Sequence, residues 1–96
     1  MSVYVDAMGP CLTNRNWRWR ENCHLFADTE AELVMFGLRI GLLASWLQKK
    51  PRSLVHFDLT RGMRARAVRL GAVEVDRDVT VAHIRRARGD AVRLEP

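Results

Sequence analysis

Residues 54–75 read LVHFDLTRGMRARAVRLGAVEV, and this stretch decides the fold. Leu54–Asp58 carries the β-branched and aromatic content of a short buried strand. Thr60 can cap a helix whose core face is Met63, Ala67 and Leu70, spaced for one side of a 3.6-residue turn. Gly71 stands where a helix end wants a left-handed residue, and Ala72–Val75 resumes strand character. Two strands joined through a packed helix run parallel, and such crossovers are right-handed. The unit therefore belongs to an α/β domain.

The flanking sequence extends the same alternation. Upstream, Asn22–Ala27 reads as a strand, and Thr29-Glu-Ala-Glu32 is a capping box opening a helix. Leu33, Phe36, Ile40 and Leu43 give that helix an apolar stripe, with an end near Gly41 and Trp46 expected in the core. Ser2–Asp6 forms a first strand. Ala7–Arg20, with Gly9, Pro10, Asn14 and Asn16, reads as a long irregular loop whose Trp17 and Trp19 fold back over the sheet. Downstream, Asp76 or Asp78 caps a last helix through Val81 and Ile84 to Gly89. The tail, Asp90–Pro96, is expected to fray or form an edge strand. The expectation is one α/β domain over residues 1–96, with a mainly parallel sheet of about four strands and two to three helices.

With 96 residues the chain has room for one modest core, which excludes two catalytic lobes or a solenoid of several repeats. Sixteen Lys+Arg against eleven Asp+Glu give a net charge of +5, and the excess lies after residue 48. All but Lys49 and Lys50 are arginines, whose planar fork suits phosphate and carboxylate. A basic half attracts polyanions, of which nucleic acid is the commonest. No apolar run reaches the roughly 20 residues that span a bilayer, and the start MSVYVDAMGP lacks the pattern of a secretory signal. The expectation is a cytoplasmic protein with Cys11 and Cys23 reduced and no membrane contact. A homo-oligomer stays open.

Four strand candidates end in aspartate: Asp6, Asp28, Asp58 and Asp76. In a parallel sheet these would converge on one rim, where α/β proteins place ligands. Asp28 and Asp76 also stand at helix starts, where stability alone favours them. Asp6 and Asp58 are the stronger candidates. Alternate strand residues face one way, so His56 joins Asp58 on one face. Asp6, His56 and Asp58 are thus the candidate catalytic groups. With His24 they form a candidate metal set, and Mg²⁺ or Mn²⁺ suits the carboxylate oxygens. At the start of the following helix, Thr60, Arg61 and Arg64 are candidates to hold a phosphate. Trp17-Arg-Trp-Arg20 has the mixed aromatic and basic character that stacks on bases.

Five of these stretches in register resemble a bacterial and phage family known as domain of unknown function 4031. They are Val3–Asp6, Cys23–Leu33, Ile40-Gly-Leu with Ser45–Gln48, His56–Thr60 and Arg64–Val73. The resemblance covers residues 2–76 and leaves 77–96, the last helix and tail, outside it. It implies a bacterial or phage origin and points to Asp6, His24, His56, Asp58 and Arg64. The family often has a second acid where this chain has Ala7 and a Lys where it has Met63. Both departures count against a second carboxylate on the first strand and against a Lys-Arg phosphate clamp. The resemblance implies no activity.

Three functions fit. A nucleic-acid- or phosphate-binding accessory protein comes first, because a basic surface asks least of the sequence. A metal-assisted phosphoester hydrolase, nuclease-like and using the strand-end Asp and His residues, comes next. A protein-interaction or inhibitor module is the third. Whether the chain is an enzyme stays open at this level.

Overall fold

The sheet is mixed, and the cause lies in the chain between the first helix and the strand at Phe57. The computed structural model describes residues 2–89. The chain runs β1 (Val3–Val5), β2 (Gly9–Pro10), β3 (Glu21–Ala27), α1 (Glu30–Arg39), a 3₁₀ turn (Ala44–Trp46), β4 (Phe57–Leu59), α2 (Arg61–Arg69), β5 (Val73–Glu74) and α3 (Arg77–Arg88). β3 pairs antiparallel with β1, β2 and β4, and β1 pairs parallel with β5. The expected mainly parallel sheet is corrected to a five-stranded mixed one.

The correction has a physical reason. In a simple βαβ unit α1 would run back along β3 and the next strand would start where β3 started. Here residues 40–56 make a further pass, closed by the pair of backbone hydrogen bonds between Gln48 and His56. That pass returns the chain to the far end of β3, so β4 enters antiparallel. β1, β4 and β5 therefore share one direction and β3 opposes them. Asp6, Asp58 and Glu74 come to one rim, whereas Asp28 ends β3 at the opposite one. There it accepts from the Ser2 backbone amide at 3.0 Å and the Tyr4 hydroxyl at 2.8 Å. The convergence of four strand-end aspartates does not form.

The segment read as an irregular loop is an arm of the sheet. β2 continues β1 along β3 with the register slipped by one residue, a bulge at residues 6–8. The arm extends through the Cys11 amide to the Arg20 carbonyl and the Asn14–Trp17 bridge.

The two faces of the sheet differ in chemistry. Val5, Cys23, Leu25, Phe57 and Leu59 face α1 and α2 and form the core with Leu33, Phe36, Ile40 and Ala67. By strand alternation Tyr4, Asp6, His24, Phe26 and Asp58 face the other way, toward α3. There the His83 ring meets Tyr4 at a tilt and Phe26 edge-on, with ring centroids 5.2 and 4.9 Å apart. Leu43 and Trp46, expected in the core, are instead 55% and 54% exposed, because the helix stripe ends at Ile40 and the chain turns away. Trp19 is 42% exposed, whereas Trp17 is half-buried and donates its indole N–H to the Glu21 carbonyl, so only one indole folds back. The tail from Asp90 lies outside the described residues.

The caps follow the sequence. Thr29 accepts from the Glu32 amide and Thr60 from the Met63 amide, each at 3.2 Å. The Asp76 side chain makes no such bond at α3. Gly37 sets how closely α1 approaches the sheet: a Cβ there would lie 2.6 Å from Cε2 of Phe57, a ring only 1% exposed. Gly37→Ala is expected to destabilise the fold by about 1–3 kcal/mol through overpacking, read as a lower urea midpoint at unchanged slope.

Candidate functional site

The site lies on the face turned toward α3, and backbone pairing assembles it. His24 and Asp58 are register partners across β3 and β4, which brings their side chains to neighbouring positions on one face. His56 precedes Asp58 by two residues and shares that face. One donor atom from each of His24, His56 and Asp58 lies within 4.8 Å of the other two. His56 Nε2 is 3.5 Å from Asp58 Oδ1. Ligands around a tetrahedral Zn²⁺ stand about 3.3 Å apart, so this pair is already near coordinating distance.

Each imidazole has one nitrogen engaged, which settles what the other offers. His56 Nδ1 donates to the Leu54 carbonyl at 2.9 Å. Since a carbonyl can only accept, the neutral ring carries its proton on Nδ1 and its lone pair on Nε2. His24 Nδ1 meets Asp6 Oδ2 at 2.9 Å, and a carboxylate likewise selects the Nδ1–H tautomer. Asp58 Oδ1 accepts from the Asn22 side-chain amide at 3.1 Å. Metal-binding histidines commonly have this support, with the second nitrogen bonded to a carboxylate or carbonyl.

Asp6 holds the arrangement from behind. Its backbone N–H donates to the His24 carbonyl at 3.3 Å, as an antiparallel pair requires. The return bond from the His24 amide goes to the Asp6 side chain, Oδ1, at 2.7 Å. The Asp6 carbonyl, turned away at the bulge, accepts from Arg64 Nε at 2.8 Å. Thr80 on α3 donates to Asp6 Oδ2 at 3.2 Å. This carboxylate is nearly buried and replaces a carbonyl in the ladder, so it is positioned to orient His24.

The electrostatics agree with the geometry. Burial pushes the Asp6 carboxyl up, but hydrogen bonds from the His24 side chain and backbone and from Thr80 outweigh it, leaving its pKa below the ordinary value. His24 is raised, chiefly by its hydrogen bond to Asp6, against burial and the charge of Arg77. Asp58 is pushed up by burial but lowered overall by the neighbouring His56 and His24 rings and by the Asn22 amide. Cys23 points into the core, where burial drives its thiol to about 12, so it offers no thiolate at neutral pH.

The candidate phosphate-binding residues are otherwise occupied. Arg61 makes two bonds to the Glu21 carboxylate, at 3.1 and 2.7 Å. Arg64 spans the Asp6 carbonyl and Glu74, the latter at 3.1 Å. Thr60 caps α2. A cavity of about 320 Å³ lined by Trp19, Glu21, Thr60, Arg61 and Gly62 lies toward the α2 side of the sheet, not at the histidines. The His24 and His56 side chains remain 36% and 22% exposed, and Asp58 25%, so the cluster is open to solvent.

Sequence reasoning passed over Asn22 and Thr80. Thr80 and His83 share a helical spacing with Asp76, a polar stripe that could have marked a helix lying on a polar sheet face. His83, on the same stripe, is mostly enclosed by Tyr4 and Phe26.

Together these features define a small mixed-sheet α/β domain with a two-histidine, one-aspartate cluster between β3 and β4. The chain belongs to the family described as Protein of unknown function (DUF4031), which matches residues 3–87. The match continues through most of α3, beyond the residues 2–76 of the sequence resemblance, and so includes Arg77 and Thr80. No curated protein and no solved structure matches the chain. No helix among the described residues is long and apolar enough to cross a membrane.

Proposed function

We propose that this protein is a metal-assisted hydrolase of phosphoesters, with a divalent ion held by His24 Nε2, His56 Nε2 and Asp58. The observation that carries this reading is the close set of three donors in which both histidines already have their Nδ1 engaged. Two imidazoles and one carboxylate favour Zn²⁺, Mn²⁺ or Fe²⁺ over the all-oxygen preference of Mg²⁺. Three protein ligands leave coordination positions open, the pattern of catalytic rather than structural sites. A divalent ion there would supply Lewis acidity and a lowered pKa for bound water.

The protein's own groups do the rest. Asp6 keeps His24 in the ligating tautomer, the Leu54 carbonyl does so for His56, and Asn22 fixes the Asp58 carboxylate. In the reaction a water oxygen bonds to phosphorus and the P–O bond to the alcohol breaks. One water proton ends on the leaving oxygen. The test is a Co²⁺ titration of the full chain, followed by its visible d–d bands. Saturable bands of one-to-one stoichiometry are expected; a featureless spectrum identical to free Co²⁺ overturns the reading.

A second reading, nucleic-acid binding by the arm, has its own observation. Trp19 is 42% exposed, Arg18 lies 4.8 Å over its ring, and Arg15 and Arg20 are exposed nearby. An exposed indole beside arginines is a stacking platform for single strands. A labelled single-stranded oligonucleotide is expected to bind with affinity falling steeply with salt, and Trp19→Ala to weaken it by about 1–3 kcal/mol. An unchanged isotherm for the variant removes this reading and leaves the first untouched.

A further inference from the structure

The metal reading leaves one question open, namely which group meets the charge of the substrate. We propose that Arg77 is the residue that grips the phosphate of a substrate bound at the His24–His56–Asp58 cluster. The proposal rests on the hydrolase reading above and adds the contact that selects an anionic substrate.

Elimination gives the first argument. Arg61 and Arg64 stand near the strand ends, but both guanidinium groups are spent on protein acceptors, Glu21 for one and Asp6 with Glu74 for the other. Arg77 is exposed and makes no hydrogen bond or ion pair with the described residues. Its five donors have no acceptor among the described residues, and a planar fork can hold a tetrahedral oxyanion with two parallel bonds.

Placement gives the second. Arg77 opens α3, and Thr80 three residues later donates to Asp6 Oδ2, the oxygen that also holds His24 Nδ1. Residues three apart lie on adjoining parts of one helix surface. Arg77 is thus one turn closer to the helix start, at the edge of the same polar sheet face.

Charge gives the third. A divalent ion held by two neutral imidazoles and the Asp58 carboxylate sums to +1, which the Asp6 carboxylate behind His24 cancels. The Arg77 guanidinium would make the site net positive toward an incoming phosphate. A guanidinium there would also meet charge that grows as the P–O bond breaks.

The experiment uses the full chain loaded with Mn²⁺ and two probes, inorganic phosphate and neutral imidazole, titrated calorimetrically. Arg77→Ala is expected to lower phosphate affinity about tenfold or more, the effect of losing hydrogen bonds to a charged group. Imidazole affinity should stay within about twofold of the parent, because the neutral ring offers the guanidinium no charge to meet, and Mn²⁺ affinity should not fall. Arg77→Lys, which keeps the charge and loses the fork, should fall between. Equal phosphate affinity in the parent and Arg77→Ala overturns the proposal, as does a Mn²⁺-loaded parent that binds imidazole and not phosphate. In both cases the metal site stands. A parent that takes up no Mn²⁺ removes the hydrolase reading itself, and this inference with it.

Discussion

Zn²⁺ at about a hundred times its dissociation constant is expected to raise the melting temperature of the native chain by roughly 10–20 °C, and of Asp58→Asn by about 3 °C at most. The arithmetic is that of linkage: a ligand at a hundredfold excess over its dissociation constant stabilises the native state by about 2.7 kcal/mol. For a domain of this size each kcal/mol moves the midpoint by about 4–8 °C. Loss of a direct ligand should cost at least the 10–100-fold lost with outer partners, which at the upper figure leaves about 0.4 kcal/mol. Asn is the informative replacement because it changes little else. Its side-chain carbonyl can still accept from Asn22, so the metal-free variant should melt close to the metal-free parent. His56→Ala should lose the shift in the same way and leave the Leu54 carbonyl to water. If either variant keeps the full shift, the ion binds elsewhere and the cluster is not its site. Differential scanning fluorimetry with and without chelator reads all six cases.

How far the site could be read from the sequence follows from which contacts are local. His56 and Asp58 were legible because strand alternation fixes their common face without knowledge of any partner. The Thr29 and Thr60 caps and the left-handed Gly71, with φ of +112°, were legible for the same reason. The direction of β4 was not. It depends on residues 40–56, where nothing in the local pattern distinguishes one more pass across the domain from a short connection. The aspartate rim failed with it, since reversing one strand sends Asp28 to the other end. The link between Asp6 and His24 needed both the antiparallel pairing and a one-residue bulge, neither marked by any turn signature around Ala7 and Met8. Arg64 shows the opposite case. The sequence placed it near the strand ends, but its bond to the Asp6 carbonyl makes it a brace of the bulge. Arg77 stood beyond the resemblance and drew no notice.

Asp6 is where stability and the proposed chemistry can be separated, because two substitutions there should differ in kind. Asp6→Ala removes the acceptor for the His24 amide, the His24 ring and the Thr80 hydroxyl at once. Leaving such enclosed donors unmatched is expected to cost about 2–4 kcal/mol, read from urea unfolding of the metal-free chain. The pH dependence should flatten as well. With its pKa raised, His24 contributes stability that is complete below its unfolded value of 6.5 and lost as pH rises through the folded one. With its pKa lowered, Asp6 contributes stability that is complete above its unfolded value of 3.8 and lost as pH falls through the folded one. The pair is therefore worth most between those two values, and Asp6→Ala should erase that maximum. Asp6→Asn should cost less stability, since its carbonyl can still accept from the His24 amide. Its NH₂ would then face His24 Nδ1 and can only donate. The imidazole must answer by accepting at Nδ1 and carrying its proton on Nε2, the nitrogen a metal needs bare. Asp6→Asn is thus expected to lower Zn²⁺ affinity by about 100-fold, the upper end for an outer partner, while remaining the more stable of the two variants. Parent-like Zn²⁺ affinity in Asp6→Asn would mean that His24 does not ligate through Nε2.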